Sequence, residues 1–203
     1  MGGQFETEWG VSLVRNSQLL YALALDLKYT HGHIIFKQEK VKPALQEEKY
    51  LYNKGGAVLS PINSHKYVVN HNGFYFSGLI CNEFLNIRDR ANLRGLIDAL
   101  IVIEWNKDIN TYNALVESAA NDLHCCVIQV NNRLYGDTRL RIPYKEDYMK
   151  DAVRVRGGEL DYFVISTLPV IALREFQRDY RSGDKPFKPV PTGYEMSPER
   201  RNN

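Results

Sequence analysis

Cysteine is scarce in this sequence: three among 203 residues. An odd count with Cys125 and Cys126 adjacent is no disulfide framework and suits a reducing compartment. Charge of one sign is lacking too. The 26 basic and 24 acidic residues leave a net +2, which excludes a nucleic-acid footprint spread over the whole chain. No apolar run, Ala99 to Ile103 included, comes near the ~20 residues that span a bilayer. The opening MGGQFETEWG has neither the basic start nor the apolar stretch of a secretory signal, and Glu6 stands where myristoylation needs Ser or Thr. The five histidines lack ligand spacing to the cysteines, and His31 and His33 read as an exposed hairpin, so no metal is expected. Gly157-Gly158 reads as a turn, because no helix with Lys-Ser/Thr opens there to cradle a phosphate. Together these absences predict a cytoplasmic protein with no membrane partner and no indicated nucleic acid.

What is present is an ordinary globular composition, 44% hydrophobic and 25% charged, long enough for one sizeable core. Residues 11–36 read mostly as strand, with a polar turn at 28–33. LQEEKYLYNKGG is a polar loop or short helix stopped by paired glycines. KYVVNHNGFYFSGLIC is a hairpin turning at His71-Asn72-Gly73, since Asn and Gly tolerate positive φ. Leu93, Leu96 and Leu100 have helical spacing; ALIVIEW and HCCVIQVNN read as buried strands. Between those strands Tyr112, Leu115, Val116 and Ala119 share a helix face that Asp108 or Asn110 could cap. Cys125 and Cys126 then point to opposite faces of their strand. RLRIPY and LDYFVISTL read as further strands, and a helix follows Pro169. Arg154 and Arg156 share a strand face, as an anion contact or a solvated edge. Residues 1–10 are expected to be a disordered or extraneous start, 11–181 the domain, and 182–203 a Pro-rich tail or linker. Strands alternating with helices predict an α/β sheet, with chemistry at the C-terminal ends of its strands.

Two such ends carry reactive groups. FSGLICNEFLN runs an apolar strand straight into Cys81, with Glu83 two residues on. A thiol attacks as the thiolate, so a nucleophilic cysteine needs a nearby base or cation and donors for the oxyanion. The plain alternative is a small buried hydrophobe. Glu83 could orient such a site or simply cap the following helix. Glu104, Trp105 and Asn106 end the next strand and would line a pocket mouth or form an ordinary loop.

In order, K-V-K-P-x-x-x-E from Lys40, G-L-I-C-N-E ending at Glu83, WN…AANDLHCCVIQVNN and GDTRLRIPY…GGELDYFVI resemble the carbon–nitrogen hydrolase, or nitrilase, superfamily, from about Arg15 to Gln177. The resemblance implies an α-β-β-α sandwich and a thiol-dependent hydrolase of a small amide or nitrile, without cofactor. Cys81 matches the nucleophile of that family, close to I-C-x-D/E. Lys40 matches the lysine that stabilises the tetrahedral intermediate, with Lys42 the alternative register, and Glu47 the acid that positions lysine and nucleophile. Family members pair sheets across subunits, which implies a homo-oligomer. One departure stands out: the family's general-base glutamate lies well upstream of the lysine motif, where this chain offers only Glu6, Glu8 and Glu39 in the wrong context. The first strand-helix-strand unit is also missing. Two expectations follow: a longer native chain with a covalently attached N-terminal part, or a catalytically incomplete module serving oligomerisation or ligand binding. LICNEF…EWNKD…NNRLYGD is similar to the nitrilase-like C-terminal domain of certain bacterial antiphage-defence reverse transcriptases, a context that would account for the missing part.

Overall fold

The computed structural model describes residues 2–8, 11–23, 33–179 and 186–202. The turn read at 28–33, with His31, lies almost wholly outside them. A first sheet is built on the long strand β2 (Val11–Leu23), which pairs antiparallel with β1 (Gly2–Glu8) and β3 (His33–Glu39). After helix α1 (Leu45–Gly55), the short strand β4 (Val58–Leu59) joins β2 in parallel. The start of the chain is therefore corrected: Gly2–Glu8 pairs along β2 instead of lying outside the fold. Helix α1 stops where the paired glycines fall. Gly56 adopts φ 66 and donates to Tyr52 O at 2.7 Å, a left-handed cap that a residue with a Cβ would strain.

The second sheet has six strands. A hairpin of β5 (Val69–His71) and β6 (Phe74–Ile80) turns at Asn72 and Gly73, both with positive φ, as a two-residue connection requires. A 3₁₀ turn (Cys81–Leu85) and helix α2 (Ile87–Ala91) lead to β7 (Ala99–Ile103). Helix α3 (Ile109–Asp122) crosses to β8 (Cys126–Val130), with the Asp108 side chain accepting from Thr111 N as its cap. Then come β9 (Gly136–Arg141), helix α4 (Asp147–Lys150), β10 (Asp151–Arg156), α5 (Val170–Asp179) and α6 (Pro198–Arg201). The sheet order is β10-β9-β8-β7-β6-β5, with β6, β7 and β8 parallel at its centre.

Both faces of this sheet are covered, which is why its central strands read as continuous apolar runs. Leu79, Leu100, Val102, Cys125 and Val127 pack beneath Tyr112, Val116, Ala119 and Ala120 of α3. On the opposite face Phe76, Ala99, Cys126 and Leu140 meet Leu173 and Phe176 of α5, with Phe36 of β3 against the same cluster. The adjacent cysteines thus divide between the two cores, as strand alternation demands. Gln38 of β3 donates to Gly78 O at 2.6 Å and ties the two sheets together.

Three expectations need correction. The helix read through Leu93 to Leu100 ends at Ala91, and Leu100 belongs to β7. Gly95 forces the break: it sits at φ 76, where an added Cβ would lie 1.8 Å from Glu195 O. Leu160–Leu168 forms no strand, and Phe163 is 90% exposed, because β-propensity without cross-strand partners does not fix a strand. The segment read as a tail is part of the core. Phe187, Tyr194 and Met196 are buried, and Arg200 is completely so. Four prolines and few apolar residues disguise a strap whose anchors are spaced along it. Among the described residues no helix is long and apolar enough to cross a membrane.

Candidate functional site

The three parallel strands end level with one another. Ile80 pairs in register with Ile103, and Ile103 with Val130. Cys81, Glu104 and Asn131 are therefore the first residues beyond the paired stretch on three neighbouring strands, at the C-terminal edge. Cys81 leaves β6 at φ 48, a left-handed conformation uncommon for a residue with a side chain. The chain turns sharply there into the 3₁₀ turn, leaving the thiol partly exposed with Sγ 3.9 Å from the Tyr112 hydroxyl.

Glu83 closes this elbow. It is buried, and its Oε2 accepts from Ile80 N at 3.0 Å, while Oε1 accepts from Val41 N at 2.8 Å and Lys66 Nζ at 2.6 Å. One carboxylate thus clamps the residue before Cys81 to the residue after Lys40. Asn82 Nδ2 adds a longer contact to Pro43 O at 3.4 Å. A buried carboxylate with three donors is satisfied by design of the loop, so Glu83 positions the elbow and is more than a helix cap.

Lys40 is 2% exposed and pairs with Glu47, while Lys42 is exposed. Glu47 sits in the first turn of α1 and also accepts from Ala44 N at 3.1 Å, so the helix start holds the acid that holds the lysine. A lysine ammonium this deeply buried requires such a partner. Glu39, one of the upstream acids, is committed elsewhere: it accepts from Ile62 N at 2.6 Å and Asn63 N at 3.2 Å, and lies 3.7 Å from Lys37.

Glu104 is buried, not at a pocket mouth. Its Oε1 accepts from Gln129 Nε2, and Oε2 has no hydrogen-bond partner among the described residues. Gln129 passes the contact on, since its Oε1 accepts from buried Arg139 Nε at 2.9 Å, and Arg139 also reaches Asn113 of α3. Burial pushes Glu104 up to about 7, against the lowering effects of Gln129, Arg139 and Asn106. Burial also raises Tyr112, with Cys81, Glu104 and Asp108 adding to it. Trp105 is exposed. Asn106 joins Asn131 through two 2.9 Å hydrogen bonds and holds the loop ends after β7 and β8 together.

Glu83 therefore ties the backbone beside Cys81 to the backbone beside Lys40, which pairs with Glu47; Glu104 follows the end of the neighbouring strand, and Trp105 is exposed. Sequence reasoning missed Lys66, Tyr112, Gln129, Asn131 and Arg139. Gln129 and Asn131 carried a signal, being polar residues in or just beyond a run otherwise fit for a buried strand. Lys66 and Tyr112 carried none, since one sits in a polar loop and the other on a helix's apolar face.

The fold is that of the carbon–nitrogen hydrolase (nitrilase) superfamily. XC1258 from Xanthomonas campestris, a CN-hydrolase superfamily protein with an arsenic adduct in its active site, superposes with a TM-score of 0.56 at 15% identity, over 71% of this chain and 56% of its own. A mutant amidase from Nesterenkonia AN1, of the nitrilase superfamily, superposes with a TM-score of 0.51 at 12% identity, over 77% of this chain and 56% of its own. The chain thus spans little more than half the length of either protein. No protein-family model matches the sequence, and no curated protein does.

Proposed function

We propose that this domain carries a thiol-dependent site for hydrolysing a non-peptide carbon–nitrogen bond, with Cys81 as nucleophile. The observation that carries the reading is the elbow: a cysteine at positive φ on the end of a central parallel strand, clamped through Glu83 to a loop presenting the buried Lys40 paired with the partly buried Glu47. The Cys81 thiolate attacks the carbon of a small amide or nitrile, and Lys40 stabilises the charge that develops on the former carbonyl oxygen or nitrile nitrogen. Ammonia or an amine leaves, and water releases the acyl group. Glu47 holds Lys40 in place; Glu83, Glu104 and Asn106 border the site. Family likeness in fold supports the reaction class.

Iodoacetamide labelling read by peptide mass spectrometry tests the proposal. Cys81 is expected to react far faster than Cys125 and Cys126, and Lys40→Ala to slow it. Equal reactivity of all three in the folded protein would end the reading.

A second reading, an assembly module without turnover, is favoured by one observation. Leu160, Tyr162, Phe163 and Ile165 form an exposed apolar stretch. It predicts that Cys81→Ala leaves assembly intact while Phe163→Asp disrupts it, with light scattering as the readout.

A further inference from the structure

A cysteine site needs a proton acceptor, and the carboxylates around Cys81 differ in what they have left to offer. Glu47 is paired with Lys40, and Glu83 is saturated by Ile80 N, Val41 N and Lys66 Nζ. Glu104 is the exception. Although 3% exposed, it leaves Oε2 without a hydrogen-bond donor among the described residues. An unmade hydrogen bond on a buried carboxylate oxygen is costly, and burial alone gives no reason to keep one.

Its position gives the reason. Cys81 and Glu104 each follow a register-paired isoleucine on adjacent parallel strands. Strand alternation places Glu104 on the face of Val102 and Gln129, beneath α3, from which the Tyr112 hydroxyl approaches Cys81 Sγ to 3.9 Å. We propose that Glu104 is the proton acceptor of this site, activating Cys81 with the Tyr112 hydroxyl as relay once Tyr112 closes on Oε2, a hydrogen bond the resting fold does not make; this rests on the reading of Cys81 as nucleophile.

The step balances as follows. The thiol proton passes to the Tyr112 oxygen as the Tyr112 proton passes to Glu104 Oε2, leaving a thiolate and a neutral carboxylic acid. The thiolate bonds to the amide carbon. When the tetrahedral adduct collapses, the carbon–nitrogen bond breaks and the proton held by Glu104 passes through Tyr112 to the departing amine. Glu104, ionised again, then takes a proton from the water that hydrolyses the thioester. The role expected of an upstream glutamate would thus be filled from within the described fold.

The electrostatics agree with the geometry. Groups acting on Glu104 are Gln129, Arg139 and Asn106, which favour its charge, and burial, which outweighs them and brings it to about 7. On the α3 side Tyr112 feels Cys81, Glu104 and the exposed cap residue Asp108. An acceptor that titrates near neutrality is the most effective at neutral pH.

The test is the iodoacetamide rate at Cys81 between about pH 5.5 and 9, in the full chain and in Glu104→Gln and Tyr112→Phe. In the unaltered protein the rate should climb through about pH 7, where the acceptor ionises. In Glu104→Gln that rise should vanish, and the rate near neutral pH should fall at least ~10-fold, with a similar fall in Tyr112→Phe. Continued protection of Cys125 and Cys126 certifies that each variant is folded. Cys81 reacting as fast as before, or faster, in Glu104→Gln overturns the proposal, because a carboxylate that merely repelled the thiolate would release it when neutralised. Failure of the nucleophile reading looks different: Cys81 would then be no more reactive than the other two cysteines in the unaltered protein.

Discussion

Strand β7 is bracketed by two buried carboxylates with opposite fates. At its N-terminal end Asp98 is saturated: Arg174 reaches Oδ2 at 2.6 Å, Arg200 reaches Oδ1 at 2.7 Å, and Tyr75 N donates at 2.9 Å. At its C-terminal end Glu104 has one amide donor and one bare oxygen. The strand is the same and the burial is nearly equal, so burial cannot explain the difference. A charge that serves the fold collects every donor within reach, and its arginines bring in α5 and the C-terminal strap. A charge that is to exchange a proton must keep a lone pair free, which the rest of the fold has to tolerate.

Breaking the saturated end should have the largest effect. Asp98→Ala strands two buried guanidinium groups and is expected to destabilise the domain by about 3–5 kcal/mol in urea denaturation. Arg200→Ala should follow closely, since it releases the strap from the core.

Glu104→Gln should behave in the opposite sense. Because the carboxyl of Glu104 is raised from 4.5 to about 7 in the fold, the folded state binds more protons than the unfolded one between those values. Stability is therefore lost as pH rises through that window, by up to on the order of 3 kcal/mol. The variant removes this loss, so its stability relative to the unaltered protein should improve from about pH 5 to pH 8. Denaturation at the two pH values checks the sign, and a constant difference would remove the contrast with Asp98.

A smaller effect concerns the backbone at the reactive end. At φ 48 a side chain is strained, so Cys81→Gly should be more stable than Cys81→Ala, by about 1 kcal/mol. The smallest is Arg154→Ala. That guanidinium meets Asp137 at 2.8 Å but is half exposed, and a loss within about 1 kcal/mol is expected. The result calibrates how much of the Asp98 effect comes from burial.

Much of the second sheet was legible. The hairpin at Asn72-Gly73, the buried strands and the α3 face follow from turn chemistry and periodicity, which act over a few residues. The thiol at a strand end and the K-V-K-P motif were legible as residue types in order. The strap was not, because Phe187, Tyr194 and Arg200 are separated by prolines and show no period; only Asp98 and the core they reach give them meaning. Leu160–Leu168 misled in the reverse direction, having a strand's composition and no cross-strand partners among the described residues.

The sequence by itself determined the α/β alternation and which side chains could do chemistry, since these depend on local propensity and side-chain inventory. Tertiary structure alone decided which of those side chains are spent. Lys40 rather than Lys42 is buried against Glu47; Glu83 is consumed as a clamp; Glu104 keeps an oxygen free. The Glu83 and Glu104 outcomes depend on donors tens of residues distant in the chain, and hydrogen-bond saturation is settled only when the fold brings them within about 3 Å.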